Sequence, residues 1–169
     1  MENKIFGNQE QFAIEVKDYH PESKRGKIRF WVAGKQLGDL KRVDKISYFI
    51  KALNVLVNDS KELYDQLFET MSNEQIFSHC LFLDRDSSAF TKEDYDLVNR
   101  MRQTFSLWFG EQLDNVAHVI YFKDKSYHFL WSYNSSYSKA INYIKNLKYE
   151  KVLEDDFKNV SLSFLQDFG

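Results

Sequence analysis

Lys27-Ile28-Arg29-Phe30-Trp31-Val32-Ala33-Gly34-Lys35-Gln36-Leu37-Gly38-Asp39 is the stretch whose reading decides the fold. Charged and apolar residues alternate as far as Trp31, the pattern breaks at Ala33-Gly34, and a short second run ends in Gly38-Asp39. Alternation with period two sends successive side chains to opposite faces of a strand, so the stretch reads as a half-buried hairpin. Upstream, Gln11 to Tyr19 alternates Phe12, Ile14 and Val16 against Gln11, Ala13, Glu15 and Lys17, which predicts a second half-buried strand. His20 to Gly26 supplies the turn between them, with the one Pro of the chain and a Gly that tolerates positive φ. The result is an N-terminal antiparallel meander whose exposed face is basic, carrying Lys17, Lys27, Arg29 and Lys35.

Helical spacing takes over downstream. Ile46, Phe49, Ile50, Leu53, Leu56 and Val57 mark one buried face, with Asp44 placed to cap its helix. Asp59 followed by Glu62 reads as a capping-box restart, and Leu63, Leu67, Phe68 and Met71 as the next stripe. Ser72 to Leu83 is ambiguous, because Cys80-Leu81-Phe82-Leu83 has no period. After a polar loop over 84–90, Thr91 caps a long helix with the stripe Tyr95, Val98, Met101, Phe105, Trp108 and Phe109, ended by Gly110. Val116 to Lys123 and Ser126 to Tyr133 flank Asp124-Lys125 as a second hairpin. Ala140, Ile141, Ile144 and Leu147 suggest a short helix, and Tyr149 to Leu153 a last strand. Phe157, Val160, Ser161, Phe164, Leu165 and Phe168 suggest a closing amphipathic helix. The fold class is α+β: the meander packed with several helices, a second β-hairpin and a C-terminal helix. No repeat or linker divides the 169 residues, so a single domain over 1–169 is expected.

Composition narrows the function classes. Fifteen Phe and ten Tyr predict a Phe-rich core with some Tyr left for a partner surface. One Cys excludes an internal disulfide. No apolar run approaches membrane-spanning length and the first residues carry no apolar leader, so a cytoplasmic protein without a membrane partner is expected. The net charge of −2 hides an asymmetry. Residues 17–51 hold ten Lys/Arg against four Asp/Glu, whereas 59–114 hold five against twelve.

Tests for chemistry return little. His20, His79, His118 and His128 lack the spacing of a helical zinc site. His118 and His128 flank the second hairpin and could face each other, with no third ligand evident. Cys80 lies in an apolar run and reads as a core thiol. Leu81-Phe82-Leu83-Asp84-Arg85-Asp86 looks like a strand ending in the Asp-x-Asp of a metal-dependent phosphatase, with Asp155-Asp156 as a magnesium pair. That fold requires alternating strands and helices, which the meander contradicts. The same loop lacks the Gly and the bidentate Glu of an EF-hand, having Ala89 and Tyr95 there. A nucleic-acid module using the basic hairpin over 24–42 is the stronger alternative, since it mixes Lys27, Arg29 and Lys35 with Phe30 and Trp31. Alternation sends those two rings to opposite faces, and the chain as a whole is acidic; both argue against nucleic acid as the partner.

Ile5-Phe6-Gly7, Phe12-Ala13-Ile14-Glu15 and Phe30-Trp31-Val32-x-Gly34-Lys35-x-Leu37-Gly38-Asp39 resemble the immunity protein 42 family of bacterial polymorphic toxin and contact-dependent inhibition systems. The likeness extends by order of elements to Phe129-Leu130-Trp131-Ser132-Tyr133. It implies a non-enzymatic α+β protein that binds and blocks a cognate toxin domain, with no catalytic residue, cofactor or metal to carry over. Trp31, Gly34, Gly38 and Asp39 would be structural signature residues: an anchor ring, two tight backbone positions and a turn acid. If the toxin is basic, the acidic middle is the expected contact surface, with Asp84, Asp86, Glu93, Asp94, Asp96, Glu111 and Asp114 as its residues.

Overall fold

A computed structural model describes residues 2–83, 90–133 and 144–169. The quoted stretch folds as the sequence requires. Strands β1 (Glu2–Asn8), β2 (Phe12–His20), β3 (Arg25–Val32) and β4 (Lys35–Leu37) run as an antiparallel meander, and the two-residue β5 (Asp44–Lys45) returns to pair with the start of β3. Ile14 lies opposite Phe30, and Phe30 opposite Leu37, so the apolar half of each strand shares one face. Ala33 and Gly34 take φ of 48° and 76°, the two consecutive left-handed residues that a tight hairpin turn needs to match strand twist. Strand β1, which alternation did not single out, adds Phe6 opposite Ile14.

A second antiparallel sheet is made by β6 (Val116–Lys123), β7 (Ser126–Tyr133) and β8 (Lys148–Leu153). Its hairpin turns at Asp124 and Lys125, again both at positive φ. One face of β7 presents Tyr127, Phe129 and Trp131 to the meander and the C-terminal helix, where they meet Phe12 and Phe30 of the meander and Phe157 of the helix. The other face presents Leu130 beside Val119 and Tyr121 to a helical layer. A sheet covered on both sides has no solvent face to alternate with, so seven consecutive residues of β7, Ser126 to Ser132, are buried. Polar ties join the sheets: Trp131 Nε1 donates to the Gln36 carbonyl (3.1 Å), and the Tyr133 hydroxyl donates to the same carbonyl (2.9 Å).

Helix α1 (Ile46–Asn58) and helix α4 (Glu154–Phe168) close the first core, placing Phe49 and Phe164 with ring centroids 5.5 Å apart. Helices α2 (Asn73–Leu81) and α3 (Lys92–Phe105) close the second, with Phe77, Cys80, Met101 and Phe105 against β6 and β7. Eleven of the fifteen Phe side chains are buried, so the core is Phe-rich as composition predicted.

Several local expectations are corrected. Asp44 does not cap α1; Lys45 occupies that position without a side-chain bond, and the buried Asp44 carboxylate accepts from the Glu111 N–H (2.9 Å) and the Lys45 N–H (2.6 Å). Asp59 makes no side-chain cap, and 60–69 forms two 3-10 turns (Ser60–Leu63 and Gln66–Glu69) that bury Leu63 and Phe68 but leave Leu67 exposed. Ser72 to Leu83 resolves as helix: Ser72 and Gln75 form a reciprocal capping box, a signal present in the sequence. Thr91 caps α3 as expected, with Asp94 completing its box. That helix stops at Phe105, four residues before Phe109, so the stripe ends early and both Tyr95 and Trp108 are exposed. Residues 84–89 and the start of the short helix expected from Ala140 lie outside the described residues.

Candidate functional site

The outer face of the meander carries Trp31, with Gly34 in the turn at its edge. Glu15 points to the side away from the Phe core yet is only 3% exposed. Its Oε2 accepts from Arg29 Nε and from Trp31 Nε1, both at 2.7 Å, and its Oε1 lies 2.9 Å from Lys17 Nζ. The Arg29 guanidinium lies over the Trp31 ring at 4.6 Å. Burial raises the Glu15 carboxyl pKa, but bonds from Lys17, Arg29 and Trp31 outweigh it and leave the pKa below its ordinary value. Lys27 is bound by Asp18 (2.7 Å), and Lys35 by Glu150. The face predicted to be basic is therefore internally compensated, and Lys27, Arg29 and Lys35, the three cations of the nucleic-acid alternative, all hold carboxylates.

Gly34 occupies the hairpin turn, and Gly38 the exit from β4 at φ +101°. A Cβ on Gly38 would stand 2.7 Å from Leu113 Cδ2 and 3.0 Å from Arg29 Cβ, while its N–H donates to the Tyr133 hydroxyl (2.9 Å). Asp39 accepts from the Lys41 N–H (3.0 Å) and from Asn115 Nδ2 (2.7 Å). Burial raises its pKa, and the bonds from Lys41 and Asn115 more than reverse that. Gly38 and Asp39 thus lie where the hairpin meets the 3-10 turn over Glu111–Leu113 and the second sheet.

The acidic candidates among the described residues fall into two separate groups. Asp84 and Asp86 lie outside the described residues. Glu93, Asp94 and Asp96 occupy the N-terminal turns of α3, where carboxylates complement the helix dipole. Glu111 and Asp114 belong to a 3-10 turn (Glu111–Leu113) and its C-cap, beyond the other end of a helix about 20 Å long. Asp114 is engaged by Arg42 Nη1 (3.3 Å) and by Trp108 Nε1 (3.4 Å). Trp108 itself is 56% exposed, beside a groove between α1 and α3. Reading it as one more member of a buried stripe missed this position; its neighbours Leu107 and Phe109 carried the signal, an i, i+2 pair too close for one helical face.

The histidines of the second hairpin do not face each other. His118 points into the first core, with Nε2 bonded to the Leu107 carbonyl (2.9 Å), and His128 stacks on the opposite face against Tyr121 at 4.6 Å. Burial pushes both pKa values down. Burial likewise pushes the Cys80 thiol up, away from thiolate chemistry. Leu81 ends a helix and Phe82 is left-handed, so no strand leads into Asp84 as the phosphatase reading requires. Among the described residues no group of His, Cys, Asp and Glu is arranged to hold a metal ion, and no helix is long and apolar enough to cross a membrane.

Two packed antiparallel sheets flanked by helices define an α+β protein. The chain belongs to the immunity protein 42 family, whose model matches residues 5–167, and its function is that of a toxin-neutralising immunity protein of bacterial polymorphic toxin systems. Its fold is similar to that in the crystal structure of CdiI from Burkholderia dolosa AUO158, with a TM-score of 0.64 and 14% identity, over 97% of this chain and 99% of that one. No curated protein sequence matches the chain.

Proposed function

We propose that this chain neutralises its toxin by stoichiometric occlusion in the cytoplasm, as a single-domain inhibitor with no turnover of its own. The family match over 5–167 carries the reading. The geometry supports it, because His118 and His128 are bonded into the core and Cys80 is buried among Phe side chains. A protein rather than a nucleic acid as partner is favoured by the ion-paired state of Lys17, Lys27, Arg29 and Lys35.

The test is co-expression with the effector domain encoded by the neighbouring reading frame. Growth is rescued, and the two chains purify together in equal amounts. Cells that die as fast with the chain as without it contradict the proposal, as does protection without a complex.

A further inference from the structure

We propose that the toxin is received where α1 meets the C-terminal end of α3, with Trp108 as the anchor, and that the segment received carries an apolar side chain flanked by carboxylates. This rests on the occlusion reading above and says where and with what chemistry it occurs. After α3 the chain alternates about the wall of the core. The Leu107 carbonyl is held by His118 Nε2, and Phe109 is fully buried with its ring 5.3 Å from Phe30 and 5.2 Å from Phe49. Trp108 between them is thrown outward. Its indole is nevertheless fixed: the ring lies 4.5 Å from that of Tyr48, and Nε1 donates to Asp114, which Arg42 holds in turn. An exposed indole already held in one place loses little side-chain freedom when a partner covers it. Trp, Tyr and Arg are also the residue types that dominate binding energy at protein interfaces.

The groove beside this ring, about 390 Å³, is lined by Ala52, Val55 and Leu107, together with Lys51 from α1 and Arg102 from α3. Both cations are exposed, and neither has an ion-pair partner among the described residues, in contrast to the compensated cations of the hairpin. Two uncompensated positive charges across an apolar trough favour carboxylates on either side of an inserted apolar group. The toxin face that fits is therefore acidic with an apolar centre, not basic.

Calorimetric titration of the purified chain with the effector domain of the neighbouring reading frame tests this. Trp108→Ala weakens binding on the order of 30-fold. Lys51→Glu with Arg102→Glu weakens it at least about tenfold and flattens its dependence on salt. Glu93→Lys with Asp96→Lys leaves it unchanged, and unaltered circular dichroism shows that each variant is folded. Absence of binding by the unsubstituted chain overturns the occlusion reading and this inference together. Intact binding by Trp108→Ala, loss through the Glu93/Asp96 pair instead, or a self-dimer dissolved by Trp108→Ala overturns this inference alone.

Discussion

Glu15 shows how a single side chain decides whether the outer sheet face is a patch of loose charge or a fixed surface. Its carboxylate satisfies Arg29, Lys17 and the Trp31 indole at once. Glu15→Ala strands those donors, and loss of about 2–3 kcal/mol of unfolding free energy is expected by denaturant titration. The folded-state pKa of Glu15 lies below its ordinary 4.5, so its contribution is complete above that value and lost as pH falls through the folded one. His118 and His128 add a second pH dependence. Their pKa values are held below the ordinary 6.5, so the unfolded chain takes up protons first as pH drops through 6.5, and stability falls there. Thermal midpoints therefore decline between pH 7 and 5; a midpoint that rises or stays level over that range contradicts the assignment of neutral, buried imidazoles. None of this was legible from residue type, because Glu15, Lys17, Arg29 and Trp31 become one unit only once register places them side by side.

The hairpin of β3 and β4 depends on Gly38 as much as on the alternation that announces it. Any Cβ there meets Leu113 and Arg29 while the backbone stays at positive φ. Gly38→Ala is expected to cost about 1–3 kcal/mol, read as a lower denaturation midpoint; an unchanged midpoint shows that the 3-10 turn can shift aside. Period-two and period-3.6 patterns located β3, α1 and α4 because one physical cause, a single buried face, dominates each. Strands β6 and β7 are instead buried on both faces and were marked by the turn residues Asp124-Lys125 between them. The sequence was a poorer guide where tertiary demands override local ones. Asp44 looks like a helix cap, but the N–H of Glu111, far along the chain, claims it. The α3 stripe runs on past Phe105 in sequence, yet the helix stops there because Phe109 must enter the first core rather than the second. The surface at Trp108 follows from that change of direction and could not be read without it.

For the molecule as a whole, the order of layers explains a division of labour. The meander, the second sheet and their helices consume nearly all the Phe, while the fixed exposed indole of Trp108, flanked by Lys51 and Arg102, lies where α1 and α3 meet. On the proposed occlusion the chain acts by covering its target, so its effect follows the amount added rather than the time elapsed. Cocrystals or crosslinks with the effector domain are expected to place Trp108 at the interface. The most direct measurement is a titration of toxin activity by the purified chain, at toxin concentrations well above the dissociation constant. Activity should fall in a straight line and reach zero at one equivalent. Activity that persists with excess chain, or that disappears progressively with a small fraction of an equivalent, would contradict stoichiometric occlusion.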